Sequence, residues 1–375
     1  MKRNRFFFIV FFFLSLFLLA AFTFLMPTEE FSQMENRNLA QKPHFSLEEL
    51  KGGQFQSGLS DFLSDQVPFR TMWIKANTTA QKLTGQKEIN EVYLGKDHYY
   101  FQKFTDQSYS SSRMMSVFRM IEGMVQKQTV PVTMMLVPSP GTVLSDKLPK
   151  NAPYYNENLV YDTAKQLLTC KILDLREAFR AHAADTQLYY RTDHHWTSNG
   201  AYLAYQEYCK LMGVEPKAYD LAEVSKDFYG TIYSKVLDSA AKPDSVLAPG
   251  NLPKVKVTYD DRVASESIYR DEFLQKKDKY AYFFGGNWGK VTIQTEAQTK
   301  EKLLIIKDSF ANSFVPYLLG DYAEITMLDL RYFGGNVEEV IQQSGCTQIL
   351  FLYETSNFLT DTGIARLEPR EKAAP

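Results

Sequence analysis

Within Tyr189–Thr197, YYRTDHHWT, an aspartate stands two residues before a histidine, and a tryptophan follows directly. Two of the chain's five histidines lie here. In an extended segment, residues i and i+2 point to the same side. Asp193 and His195 would then share surroundings, with His194 turned away. A carboxylate beside an imidazole fixes its tautomer and stabilises the imidazolium form. The pair lacks only a nucleophile, and Leu303–Phe314, LLIIKDSFANSF, offers one. There an apolar strand-like run ends at Lys307-Asp308, and Ser309 sits on the turn before a helix-like segment. Joined, the two stretches make a Ser309–His195–Asp193 site for acyl transfer. Ser309 attacks a carbonyl, His195 takes its proton, Asp193 orients His195, and backbone N–H groups after the serine hold the oxyanion. The bland alternative is that Ser309 caps a helix and the Asp-His pair belongs to a buried hydrogen-bond network.

Other chemistry-bearing residues have weaker patterns. Asp-His-His also occurs in metal-dependent phosphoesterases, where Asp174, Asp308 and Asp329 would have to complete the site. Asp308 and Asp329 have simpler roles as turn and strand-end residues, so no metal is assigned. Arg331 follows a strand end and suits either an acidic sugar or a surface salt bridge. Trp196 suits either stacking on a sugar ring or wedging the loop in place. Lys307 reads as a solvated strand-end residue, and Ser139, between two prolines, as structural. Cys170, Cys209 and Cys346 form no C-x-x-C or Cys/His cluster and read as buried thiols.

The elements that would position these groups follow from periodicity. Val92–Phe101 reads as a hairpin turning at Gly95-Lys96-Asp97. Ser108–Gln126 has helical apolar spacing, and Val130–Val137 is a β-type run. A helix is expected over Asn158–Leu168 and a strand over Ile172–Leu175. Thr197-Ser198-Asn199 are good N-cap residues for a helix running to Met212 and closed by Gly213. Val214–Lys300 reads as irregular structure with short strands. Strands at Leu303–Ile306, Ile325–Leu328 and Ile349–Leu352 alternate with helices at Asn312–Leu319 and Val337–Gln343. That alternation indicates a parallel sheet, which binds ligands beyond the carboxyl ends of its strands.

MKRNR is basic, and Phe6–Met26 is an uncharged run long enough to cross a bilayer. The basic flank should stay in the cytoplasm, with everything after it outside. The run is long for a signal-peptide core and no A-x-A site follows, so an uncleaved anchor is favoured over a cleaved leader. A net charge of −2 gives no nucleic-acid signal. The 23 tyrosines and 27 phenylalanines suit a core and also sugar-binding clefts.

TDHHWT, KDSFANSFVPYL, DLRYF and FGGN, in this spacing behind an anchor, resemble the DHHW protein family of bacteria. That family is similar to the alginate O-acetylation proteins of the cell envelope. The resemblance implies an α/β, SGNH-hydrolase-like three-layer domain with a parallel sheet and a permuted motif order. Asp193, His195 and Trp196 match its D-x-H-W element, and Ser309 its serine. Lys307 departs from the usual glycine of the serine block. The Gly and Asn oxyanion positions stay open between Gly286 with Asn287, Asn312, and Asn357.

The organisation expected is therefore a flank and transmembrane anchor over 1–27, a mostly helical membrane-proximal segment over 28–90, the SGNH-like domain over 91–360, and a disordered tail over 361–375. The resemblance implies an O-acetyltransferase for an exported or envelope polysaccharide, without a cofactor of its own. Its acetyl donor would be a multi-pass membrane O-acyltransferase. An acetyl esterase with the same residues and a non-catalytic glycan-binding or scaffold subunit are the alternatives. A reporter fused after Asn357 is expected to be active only outside the cytoplasm. Activity inside would overturn both the topology and the envelope role.

Overall fold

The computed structural model describes residues 2–367, and it divides into two compact units. The first comprises Met1–Asn90 with Tyr233–Ala241. It opens with helix α1 (Lys2–Leu25), of which Arg5–Leu25 is long and apolar enough to span a membrane. At about 1.5 Å per residue that stretch matches a hydrocarbon core of roughly 30 Å. Helices α2 (Gln54–Gln66) and α3 (Arg70–Leu83) follow. Phe62 of α2 is buried against Phe24 of α1. Asp65 gathers Arg37 at 2.5 Å and Arg70 at 3.3 Å.

The second unit comprises Glu91–Ile232 and Lys242–Pro375. Its centre is a sheet of eight strands: β1 (Val132–Val137), β2 (Lys171–Asp174), β3 (Val255–Tyr259), β4 (Val263–Ser265), β5 (Lys290–Thr295), β6 (Lys302–Lys307), β7 (Glu324–Leu328) and β8 (Gln348–Glu354). The spatial order is β4-β3-β5-β7-β6-β8-β1-β2. From β7 to β2 every pairing is parallel, while β5, β3 and β4 join antiparallel at the other side.

The apolar runs explain this layering. Along LLII, Leu303 and Ile305 point into one core and Leu304 and Ile306 into the other. Met135 and Val137 of β1 likewise oppose Met134 and Leu136. A strand buried on both faces needs apolar residues at every position, and each large one is worth about 1.5–3 kcal/mol. Helices α4 (Ser111–Val125), α5 (Glu157–Leu167) and α8 (Val337–Ser344) cover one face with Phe118, Tyr161 and Ile341. Helix α6 (Ser198–Met212) covers the other with Ala201, Tyr205 and Tyr208. The result is three layers.

Val214–Lys300 contains the short strands expected there, and they are regularly paired. It supplies an antiparallel pair, Leu221–Phe228 with Asp244–Pro249, and the sheet strands β3, β4 and β5. In VKVTY of β3 the buried and solvent positions alternate, so its lysine lies on the wet face. The disordered tail expected over 361–375 does not hold for its first part. Thr362–Leu367 is a 3-10 helix with Ile364 buried in the core, and residues 368–375 of that expected tail lie outside the described residues.

The carboxyl end of β8 carries a buried acid, Glu354. Burial pushes its carboxyl up to about 7, and Asp308 adds to this against hydrogen bonds from Ser356 and Asn357. A raised folded value stabilises below the unfolded value of about 4.5, and that stabilisation is lost as pH rises through 7. Glu354→Gln, which does not titrate, should gain on the wild type by up to about 3 kcal/mol between about pH 5 and about pH 8. Denaturant midpoints at the two pH values check this, and parallel profiles would refute it.

Candidate active site

The Asp-His segment is a closed loop. Tyr189 and Trp196 form an isolated antiparallel bridge, and Tyr190 N donates to His195 O at 3.2 Å. Residues 191–195 turn between them rather than extending. The turn is held by Asp193 itself, whose Oδ1 accepts the His195 backbone N–H at 3.0 Å. Asp and Asn favour such turns because the side chain can reach the amide two residues on. The same Oδ1 accepts His195 Nδ1 at 2.6 Å. Asp193 and His195 therefore meet, but by a turn and not by strand alternation. His194 does not turn away, as an extended segment would require. Its ring lies 3.9 Å from that of His195, and its Nδ1 is 2.8 Å from Thr231 Oγ1.

Asp193 is 2 % exposed, and its Oδ2 accepts Thr231 N at 2.7 Å and Thr231 Oγ1 at 3.0 Å. Burial opposes its ionisation, but His194, His195 and the Thr231 amide outweigh burial and hold the carboxyl well below its ordinary range. An ionised Asp193 keeps the His195 proton on Nδ1. Nε2 is then an acceptor, and Ser309 Oγ lies 2.7 Å from it across 114 residues of sequence.

Ser309 sits where β6 gives way to helix α7 (Ala311–Phe314). Asp308 fixes that turn. Its Oδ1 accepts Phe310 N, and its Oδ2 accepts Glu354 N and Asn357 Nδ2, each at 2.9 Å. The amides after the serine were expected to face an oxyanion, but they are committed: Phe310 N to Asp308 Oδ1 and Asn312 N to Ser309 O. The N–H of Ser309 itself makes no hydrogen bond among the described residues.

The remaining expected site residues fall into two groups around this turn. Asn312 Oδ1 accepts Lys307 Nζ at 2.7 Å, and its Nδ2 donates to Asn287 Oδ1 and Gly286 O. Asn312 therefore has no N–H left for an oxyanion, which corrects that option. Asn287 is exposed at the edge of this cluster. Asn357 gives an N–H to Asp308, and Arg331 forks onto Asp329 at 2.8 and 2.6 Å. Trp196 is fully buried and donates to Phe310 O and Ser313 Oγ, so it is the wedge and cannot stack on a sugar. Lys307 is 1 % exposed rather than solvated. Burial lowers its ammonium to about 8, with Asp329 opposing.

Four positioning residues escaped the sequence reading. The Tyr280 ring stacks on His195 at 3.8 Å and 12°, and its hydroxyl donates to Ser309 O at 3.0 Å. Ser313 Oγ contacts that hydroxyl and the Trp196 indole. Thr231 clamps Asp193. Buried Asp244 accepts from Arg191 N, Thr192 N, Thr192 Oγ1 and Gln187 Nε2, fixing the loop before Asp193. No local motif marks them, although a glycine before a threonine, Gly230-Thr231, is the type of step that close packing requires.

Asp193, His194 and His195 bring ligand-type atoms within 4.8 Å of one another. Each of those atoms already holds a protein partner, and His195 Nε2 faces Ser309. Asp174, Asp308 and Asp329 are occupied elsewhere, by Arg176, by backbone amides and by Arg331. The donor set thus suits proton transfer better than metal ligation.

A Cβ on Gly230 would lie 2.2 Å from Asp193 Cβ and 2.3 Å from its Oδ2. Gly230→Ala must displace the carboxylate by some tenths of an ångström to an ångström, enough to cost on the order of 10²-fold in a positioned reaction. Turnover of a small acetyl ester should fall by about that factor, with the fold kept by circular dichroism. Unimpaired turnover would detach Asp193 from the chemistry.

The family model described as DHHW protein matches residues 77–328, well over half of the chain. No curated protein matches. Among solved structures, a DHHW family protein from Eubacterium siraeum is similar at 25 % identity and a TM-score of 0.64, covering 74 % of this chain and 96 % of that one. Bacillus cereus PatB1, solved with a sulfonyl adduct, is 21 % identical with a TM-score of 0.59, covering 74 % of this chain and 99 % of its own. The O-acetyltransferase domain of Pseudomonas putida AlgJ gives 14 %, a TM-score of 0.48, and 74 % and 98 % coverage. The likeness to PatB1 is one of fold, and the three-layer domain is SGNH-hydrolase-like. By the extent of the sequence match, the chain belongs to the DHHW protein family.

Proposed function

We propose that the protein is an extracytoplasmic O-acetyltransferase that modifies an exported or cell-envelope polysaccharide through an acetyl-serine intermediate. The observation that carries this reading is the 2.7 Å contact between Ser309 Oγ and His195 Nε2, with Asp193 on the opposite ring nitrogen. Ser309 Oγ attacks the acetyl carbonyl carbon while its proton passes to His195 Nε2. The buried, ionised Asp193 stabilises the imidazolium that results. The free N–H of Ser309 is the donor available to the oxyanion. His195 then returns the proton to the leaving group. In the second half a sugar hydroxyl attacks the acetyl carbon and gives its proton to His195, the bond between that carbon and Ser309 Oγ breaks, and His195 returns the proton to Oγ.

The setting supports transfer outside the cell. The apolar helix follows a basic flank, and acetyl-CoA is a cytoplasmic donor, so the acetyl group must cross the membrane. A multi-pass membrane O-acyltransferase is the donor partner this requires.

Ser309→Ala should lower turnover of a small acetyl ester by on the order of 10⁴-fold or more. Loss of one hydroxyl at a helix end costs only about 1 kcal/mol of stability, so melting temperatures separate lost chemistry from lost fold. Asp193→Asn should fall by a similar factor through the wrong tautomer, His194→Ala by less, and a chelator should leave the wild type unchanged. Near-normal turnover by folded Ser309→Ala, or loss on chelation, would sink the serine mechanism.

A further inference from the structure

Beside the nucleophile turn, Asp308, Arg331, Asn357, Thr360, Asp361 and Thr362 line a cavity of about 250 Å³. It lies past the carboxyl ends of β6, β7 and β8, where open α/β sheets bind ligands. Asp308 directly precedes Ser309, so the wall of the cavity and the nucleophile occupy consecutive residues, with Cα atoms about 3.8 Å apart.

The cavity wall contains unsatisfied hydrogen-bonding capacity of both kinds. Asp361 is 8 % exposed, and its Oδ1 accepts Gly363 N at 2.7 Å. Its Oδ2 is buried and makes no hydrogen bond among the described residues. Buried polar atoms nearly always have partners, so one without them calls for a missing donor. Arg331 spends Nε and Nη2 on Asp329, and its Nη1 makes no hydrogen bond among the described residues. Asp308 is not available, since backbone amides and Asn357 take both its oxygens.

Charge selects the ligand. A free cation would meet Arg331, and a free anion would meet Asp308 and Asp361. A hydroxyl group avoids both penalties, because it can donate to Asp361 Oδ2 and accept from Arg331 Nη1. Two neighbouring hydroxyls of one sugar can take both partners at once. At about 30 Å³ per water, the volume equals that of roughly eight waters, which fits one sugar ring and not a chain. Burial raises the Asp361 carboxyl above its ordinary range, with the Gly363 amide and Arg331 opposing, so the site favours a neutral partner over a cation.

We infer that this cavity is the acceptor subsite, seating a neutral vicinal diol of one sugar ring between Asp361 and Arg331 beside Ser309. The inference rests on the acetyl-transfer reading above, and it deepens it by naming the group that orients the acceptor.

The test uses partition of the acetyl-enzyme. p-Nitrophenyl acetate loads Ser309 and releases p-nitrophenol. Water or a sugar hydroxyl then attacks the acetyl carbon, the Ser309 Oγ–carbon bond breaks, and the attacker's proton returns through His195 to Oγ. The acceptors are methyl glucoside, galactoside and mannoside, with glucosamine and glucuronate as charged controls. The readout is acetylated sugar over acetate, which does not depend on how fast the serine is loaded. Asp361→Asn keeps the bond to Gly363 but replaces the free acceptor by an N–H donor. It should lower the ratio for neutral glycosides by about ten-fold or more. Arg331→Lys, which retains a cation for Asp329, should lower it in the same direction and serves if Asp361→Asn does not fold. A wild type that turns over the ester with a ratio unchanged in both variants overturns the subsite and leaves the acetyl-transfer reading intact. A preference for glucosamine or glucuronate overturns the neutral-diol assignment. If the wild type releases no p-nitrophenol, the transfer reading fails, and glycoside binding to Ser309→Ala by saturation-transfer NMR decides the cavity alone. Binding weakened by Asp361→Asn supports it, and binding absent or unchanged refutes it.

Discussion

A carboxylate taken out of water must be met by hydrogen-bond donors or it will not stay ionised. Asp193 is such a group, and much of the site follows from satisfying it. Its four donors come from two places in the chain: the backbone and ring of His195, and the backbone and hydroxyl of Thr231. Because both oxygens are fully engaged, the side chain has one orientation available. The ring of His195 inherits that orientation, and so does the nitrogen it presents to Ser309. Gly230 follows as well, since any side chain there would overlap the carboxylate. Asp244 repeats the device one step earlier, holding the amides of Arg191 and Thr192 so that the loop enters Asp193 correctly.

The serine half obeys the same rule with a different acid. Asp308 takes the amide after Ser309 and two donors from the end of β8 and its following turn. The serine thus sits on a backbone fixed from both sides. Tyr280 then joins the halves. Its ring lies flat on His195 while its hydroxyl reaches the carbonyl of Ser309, so one side chain senses both. Trp196 does similar work from the other direction, carrying the residue after His195 onto the carbonyl after Ser309. Two loops 114 residues apart are aligned by aromatic groups with polar tips, which can be buried yet still bind backbone.

This division explains what the sequence made legible. Asp193, His195 and Ser309 could be singled out because residue type and short spacing suggest their chemistry, and the structure brings the three into contact. LLII of β6 and the Thr197 cap of α6 were found because burial and capping are local rules. The local geometry differs from the extended segment expected: Asp193 and His195 meet through a side-chain turn, and His194 stays beside them. Thr231, Tyr280 and Asp244 were not legible, since each acts on residues tens of positions away and no spacing rule connects them. For a related reason Trp196 stayed open between a sugar platform and a wedge, and Lys307 was expected in solvent. Whether an indole or an ammonium is buried depends on which strands surround it, and the short strands expected in Val214–Lys300 carried no sign that β5 and β3 would widen the sheet.

The lysine shows what the strand ends have in common. Three adjacent parallel strands, β6, β7 and β8, stop at Lys307-Asp308, Asp329 and Glu354, all of them buried. Isolated, each would be strongly unfavourable, and replacing such groups by apolar ones often stabilises a fold. Together they are tolerable. Lys307 meets Asn312 and Asp329, Asp329 meets Arg331, and Asp308 meets the backbone N–H of Glu354 and the side-chain amide of Asn357. An apolar floor would have packed as well, but it could not have held the serine turn by a side-chain carboxylate or left an unpaired oxygen at Asp361. The polar floor is therefore better understood as the support of a site than as a source of stability. Its depressed lysine and raised acids mark the strain of keeping that support dry.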